Sequence, residues 1–340
     1  MTRLPTRDCT KGTPFTAADL VESCRESLRL TVVAGGRFAE RRVSEPIVNR
    51  LGLALTGFFR NFAHGRLHMV GNAEWAYLES LPRKVREDAF EAVLGHRARL
   101  IVFAAGHKAP EPFRALAERH RAVVMETPLK TRVFSRMAMF EMERLGAPRT
   151  AIYGTTVEVC GLGILFEGDP GLGKSETALG LIKRGHALVA DDLTCIRKDV
   201  ANNRLVASAS ESTAGYMEIR GIGIMHVQSV FGVGSVRGEK RLQLVVTLKR
   251  MDEMKGEIDR VGQTMRTRSI LGVEVPNIVI PVSEGRDLVN LVETAAQQYK
   301  LVSSGMNPAA ELSERLRRRA DCAAGIRRKE SKRKEKRNGR

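Results

Sequence analysis

The stretch EGDPGLGKSETAL, residues 167–179, holds the residue types best suited to chemistry. Gly168 and Gly173, with Lys174 and Ser175, satisfy the spacing G-x-x-x-x-G-K-[ST]. Glycines let backbone N–H groups converge on phosphate oxygens. A following helix would add its unpaired N–H groups and positive dipole end. Lys174 is expected to reach the terminal phosphates and the Ser175 hydroxyl to ligate Mg2+, while Asp169, Pro170, Gly171 and Leu172 fill the loop interior. Asp191 and Asp192 follow an apolar run, ALVA. At the end of a strand beside the cradle strand, a carboxylate can hold a metal-bound water or accept a proton from an attacking hydroxyl. Successive strand residues point to opposite faces, so one aspartate of the two is expected to face the phosphates.

The elements that must position these groups are legible as hydrophobic patterns. TTVEVCGLGILFEG reads as strand, turn, strand; KSETALGLIKRG as a helix ending at Gly185; HALVADD as the strand delivering the two carboxylates. RLQLVVTLKR and NIVIPV read as further strands, and RDLVNLVETAAQQYKLVSS as a closing amphipathic helix. Upstream, AADLVESCRESL has helical spacing after a Thr16 cap, and LTVVAG, ARLIVFAAG and AVVMET suit buried strands. With PEPFRALAERH between the last two, this is an α/β unit with a parallel pair. Pro128 breaks the pattern, and a helix carrying Phe134, Met137, Phe140, Met142 and Leu145 runs to a stop at Gly146–Pro148. Its methionines read as core filler. The expected organisation is a flexible 1–15, an α/β domain 16–128, a linker helix 129–149, a catalytic domain 150–312 and a basic, solvated tail 313–340.

The hydrophobic fraction of 43% supports a sizeable core. No run approaches the roughly 18 apolar residues that a membrane helix needs, and the first residues have no apolar block of a secretory signal. A cytoplasmic protein without a membrane partner is expected. Cys9, Cys24, Cys160, Cys195 and Cys322 are widely spaced, which argues against a disulfide framework or a zinc site. The net charge of +17 is concentrated at one end: residues 311–340 carry 13 Lys/Arg against 5 Asp/Glu. No nucleic-acid signature accompanies that tail, so a nucleic-acid partner is not expected. His64 and His68 stand four apart, but no third ligand joins them, and core or surface histidines are the expectation.

Three segments together carry a family resemblance. EGDPGLGKSETALGLIKRGHALVADD, EIRGIGIMHV (218–227) and FGVGSVR (231–237) resemble HPr kinase/phosphorylase, enzymes that phosphorylate a regulatory serine on HPr, the small phosphocarrier of the bacterial sugar phosphotransferase system. NRLGLALTGFF (49–59), PLKTRVFSRM (128–137) and GMNPAAELSERL (305–316) extend it over nearly the whole chain. The resemblance implies an α/β fold: an N-terminal α/β domain plus a C-terminal P-loop catalytic domain like the ATP-binding core of phosphoenolpyruvate carboxykinase. It implies ATP as phosphoryl donor (with pyrophosphate as an alternative) bound by Gly168–Ser175, Mg2+ on Ser175 and Glu218, and HPr as the partner. Lys174 would sit on the phosphates, and Asp192 would be the base that takes the proton from the substrate serine. Arg260 matches the family's active-site arginine. Pro281, Val282, Ser283, Glu284, Gly285 and Arg286 match a loop linked to dephosphorylation, and members assemble as hexamers.

The sequence departs from the family pattern in three places. Tyr153 stands where a histidine is usual, and a tyrosine is neutral at pH 7. Ser283 and Glu284 replace Arg-Pro, which makes the loop less welcoming to free phosphate. His226 replaces a commoner Asn or Asp. The expectation is a kinase with a weakened phosphorylase direction. Two competing readings are a serine or small-molecule kinase with another acceptor, and a non-catalytic nucleotide-dependent regulator whose basic tail contacts nucleic acid.

Overall fold

The computed structural model describes residues 14–253, 266–283, 285–306, 308 and 311–319. They divide into two compact units, one ending at Arg149 and the other formed mainly by the chain from Thr150 onward.

The first unit is a five-stranded sheet. Val48–Arg50, Leu67–Val70, Leu100–Phe103 and Val123–Glu126 run parallel in that order, and Thr31–Ala34 pairs antiparallel with the last. LIVF and VVME are continuous apolar or near-apolar runs because helices cover both faces. Leu100, Val102, Val123 and Met125 pack into one core with Leu20, Phe134 and Met142. Ile101, Phe103 and Val124 point the other way, onto Phe90, Val93 and Phe113. Ala17–Ser23 opens on a capping box in which Thr16 and Asp19 each satisfy the other's backbone N–H. The helix expected to link the domains, Thr131–Gly146, lies within this unit. Phe134, Ala138 and Met142, spaced by four, face its core, whereas Phe140 lies on the opposite face and is 64% exposed.

The second unit contains a nine-stranded sheet, and its centre sets the site. Leu162–Glu167, Glu239–Arg250 and Val273–Val282 are parallel neighbours. Thr155–Val159 forms an antiparallel hairpin with Leu162–Glu167 through a turn at Cys160–Gly161, and on its far side pairs antiparallel with Ala187–Ala190. Two antiparallel steps make Ala187–Ala190 parallel to Leu162–Glu167. Helices Lys174–Lys183 and Leu288–Ser303 pack on one face with the hairpin Tyr216–Ile219/Gly223–His226. Leu244, Val246 and Leu248 face them, and Val245 faces the opposite core. Leu242 joins Val245 there because the pairing with Leu162–Glu167 slips between Leu242 and Leu244, which reverses the alternation.

His64 and His68 are not on one helix. His68 lies in the strand Leu67–Val70, fully buried and stacked on Phe62 at 4.7 Å, and His64 is exposed in the preceding loop. Burial pushes the His68 imidazole down to about 4 from an ordinary 6.5. Below pH 6.5 the unfolded chain takes up a proton that the folded chain refuses until about pH 4, so stability falls as pH falls through this window and is unaffected above it. Replacing His68→Leu should remove that slope. Unfolding free energies from urea titrations at pH 7.5 and 5.0 should differ by about 2 kcal/mol more in wild type than in the variant; equal differences would contradict the assignment.

Candidate active site

Parallel strands with helices between them present loops at their carboxyl ends, and ligands bind there. Four segments singled out in the sequence leave the second unit on that edge. They are the glycine-rich loop after Leu162–Glu167, the aspartate pair after Ala187–Ala190, the segment after Glu239–Arg250 and the loop after Val273–Val282. Arg260 belongs to the third of these and lies outside the described residues, as does Glu284 in the fourth.

The loop is held by backbone geometry. Gly168 has φ +145°, and a Cβ there would meet the carbonyl oxygen of Leu248 at 2.6 Å, so no other residue fits without moving a neighbouring strand. Gly173 is left-handed, at φ +83°, and turns the chain into helix Lys174–Lys183. The Lys174 ammonium donates to the carbonyls of Gly168 at 2.7 Å and Asp169 at 3.0 Å, which folds it back over its own loop. It is therefore at the mouth of the cradle, where an anion would exchange two neutral acceptors for a charged one.

The carboxylate that meets the loop is Asp191. It is buried, and its Oδ1 accepts from the Ser175 hydroxyl at 3.0 Å and the Thr155 hydroxyl at 2.8 Å. Its Oδ2 accepts from the backbone N–H of Glu218 at 3.1 Å. One side chain thus ties the start of the loop helix, the strand between loop and aspartates, and the hairpin Tyr216–Ile219. The strand carrying Asp191 is one place removed from the cradle strand, not beside it as expected from sequence, because Thr155–Val159 intervenes. Asp192 is exposed, with φ +61°, and its carboxylate has no hydrogen-bond partner among the described residues. Its backbone carbonyl accepts from Gly154 N–H at 2.8 Å, which fixes Asp192 next to Tyr153, itself 57% exposed. The two aspartates divide the work: one is consumed by structure, and the other keeps its lone pairs.

Glu218 is exposed on its hairpin while Met217 and Ile219 on either side are buried, so strand alternation aims its carboxylate away from the core. Ser175 Oγ and the Glu218 carboxylate are hard oxygen donors of the kind Mg2+ takes. Because Ser175 donates its proton to Asp191, its lone pairs are free to turn toward a cation. His226, by contrast, has Nδ1 within 2.6 Å of Ser229 Oγ and its ring 4.9 Å from that of Tyr216, so these contacts stay within its own hairpin and the short helix Val227–Phe231 that follows. In the fourth loop, Pro281 and Val282 end their strand, Gly285 is left-handed, and Arg286 donates back to the Pro281 carbonyl at 3.2 Å and to the Ser283 carbonyl through its N–H at 3.3 Å. Thr155 and the structural role of Asp191 are what the sequence alone did not disclose. The D-D pair after a strand was the available signal, but only the pairing with Thr155–Val159 tells its members apart.

The fold is mixed α/β, with a glycine loop that joins a parallel strand to a helix and a buried aspartate hydrogen-bonded to the loop's serine. The family described as HPr Serine kinase N terminus matches residues 15–140, and that described as HPr Serine kinase C-terminal domain matches residues 144–316. A Leptospira biflexa protein named HPr kinase/phosphorylase is 39% identical over 292 residues, 86% of this chain and 90% of that protein. One of the same name from Bacillus subtilis is 34% identical over 292 residues, covering 86% and 93%. A solved structure of the Hpr(Ser) kinase/phosphatase from Coxiella burnetii is 32% identical, with a TM-score of 0.44, and covers 49% of this chain and 98% of that one. The chain belongs to the HPr kinase/phosphorylase family of enzymes.

Replacing Asp191→Asn should uncouple the hairpin from the loop. An amide presents a donor where either the Glu218 N–H or the two hydroxyls now donate, and a buried donor left unpaired costs about 1–3 kcal/mol. Thermal unfolding should show that loss, and an unchanged midpoint would remove Asp191 from this role.

Proposed function

We propose that this chain transfers a phosphoryl group from ATP to a regulatory serine of HPr, with Gly168–Ser175 holding the donor's phosphates. The observation that carries this reading is the carboxyl edge just described. There a free aspartate, Asp192, stands next in sequence to the aspartate that anchors the serine of the phosphate loop. A serine hydroxyl is a weak nucleophile, so orientation and charge neutralisation must supply most of the acceleration. The serine oxygen bonds to the γ-phosphorus as the bond to the β–γ bridging oxygen breaks. Asp192 accepts the hydroxyl proton, and ADP leaves. Lys174 moves from the carbonyls of Gly168 and Asp169 onto the phosphate oxygens. Ser175 and Glu218 would hold Mg2+, which would supply neutralisation of phosphate charge.

In the opposite direction inorganic phosphate attacks phosphoserine, pyrophosphate forms, and Asp192 returns the proton to the departing serine oxygen. Two positions bear on this direction. Tyr153 is neutral where the family carries a histidine, and Ser283 is neutral where an arginine is usual. The reading is therefore a kinase whose phosphorolysis is weak. Arg260 as a further cation on the phosphates, pyrophosphate as an alternative donor, a core like that of phosphoenolpyruvate carboxykinase, a hexameric assembly and a cytoplasmic location belong to the same proposal. No helix among the described residues is long and apolar enough to cross a membrane.

Phosphate transfer to purified HPr should fall by about 10²–10⁴ in Asp192→Ala with nucleotide binding retained, the contribution typical of a positioned base. Unchanged transfer would assign the proton elsewhere. Release of pyrophosphate from serine-phosphorylated HPr should be slow in wild type and faster in Ser283→Arg. Robust wild-type release would refute the weakened direction.

A further inference from the structure

The first unit contains a cavity of about 200 Å³ whose walls include Arg41, Arg42, His64, Arg97 and Arg99 and no carboxylate. It opens at the amino ends of the parallel strands, beside Leu100, the first residue of Leu100–Phe103. The arginines stand on two segments pinned by backbone hydrogen bonds. Arg41 O accepts from Ala17 N–H at 3.0 Å, and Val43 N–H donates to Phe15 O at 3.0 Å, fixing the first segment against the opening helix. The second is the turn after helix Arg83–Gly95. Arg97 has φ +66°, and Arg99 donates to the Leu94 carbonyl at 3.0 Å.

Several other arginines of the unit are paired. Arg37 meets Glu118, Arg50 meets Glu74, Arg66 meets Glu45, and Arg119 meets Glu91. None of Arg41, Arg42, Arg97 and Arg99 makes an ion pair among the described residues. Their charges oppose one another: Arg99's pKa is lowered, first by burial and then by Arg41 and Arg97. Gathering like charges around a partly desolvated cavity costs free energy. What sets these four apart is that they line one cavity, with no carboxylate in its wall. Guanidinium groups present paired N–H donors that match phosphate oxygens.

We propose that this cavity is a second anion site, separate from the glycine loop, that takes a small compound bearing one or two phosphate groups. Its volume lies below the roughly 300–1,000 Å³ of pockets for drug-sized ligands, which selects a pyrophosphate-sized occupant over a nucleotide. The site does not rest on the catalytic reading of the other unit.

Calorimetric titration of the full chain with inorganic pyrophosphate tests it in a Lys174→Ala background, which disables the loop. Pyrophosphate should still bind and raise the unfolding temperature. Adding Arg97→Gln and Arg99→Gln should weaken binding about tenfold or more, the effect of removing hydrogen bonds to a charged group. Affinity unchanged by the two substitutions overturns the site, as does absence of binding in the Lys174→Ala chain. Should the double substitution disturb folding by circular dichroism, exposed Arg97→Gln alone decides, with a weakening of about threefold or more expected and Arg97→Lys closer to wild type. Oligonucleotide binding that pyrophosphate does not compete would assign the patch to nucleic acid and overturn the proposal.

Discussion

The carboxylate of Asp191 accepts hydrogen bonds from Thr155, Ser175 and the backbone of Glu218, three segments far apart in the chain. A buried carboxylate is costly unless its lone pairs are filled, and here two hydroxyls and one N–H fill them. The loop helix, the intervening strand and the hairpin are thus set relative to one another by one side chain. Had the Asp191 carboxylate been left free, its desolvation would have worked against the fold. Had Asp192 been captured as well, no unpartnered carboxylate would remain at the end of that strand.

The same economy governs the loop. Gly168 sits where any Cβ would strike the Leu248 carbonyl, so cradle and neighbouring strand are in backbone contact. That contact depends on parallel pairing of Leu162–Glu167 with Glu239–Arg250, continued into Val273–Val282. Parallel register brings three loop exits to one edge, and two antiparallel steps bring the aspartates to it as a fourth. The basic cavity of the first unit shows the opposite arrangement. There charges are gathered with no carboxylate in the cavity wall.

Much of this was legible in the chain. The loop and its helix follow from the glycine spacing, and the buried strands LIVF and VVME from β-branched or apolar runs bounded by glycine or threonine. The Thr16 cap was readable from residue type. The assignment of the linker helix to the first unit was not, because 129–149 has an apolar stripe whatever it packs against. Likewise His64 and His68 have a spacing that suits a helix, yet His68 lies in a strand and the pair shares no helical face.

The sequence by itself determined that a glycine loop at Gly168–Ser175 leads into a helix, since that needs only local backbone and one helix start. It also determined that two carboxylates follow a buried strand. Which of the two is anchored and which is free was decided only by tertiary structure. Strand alternation shows that neighbours diverge, but the direction each takes depends on which strand lies alongside. Inserting Thr155–Val159 between loop and aspartates places a hydroxyl that captures Asp191 and leaves Asp192 in solvent. The arginine cavity is tertiary in the same sense: Arg41 and Arg99 are 58 residues apart in the chain, and only the sheet brings them to one wall.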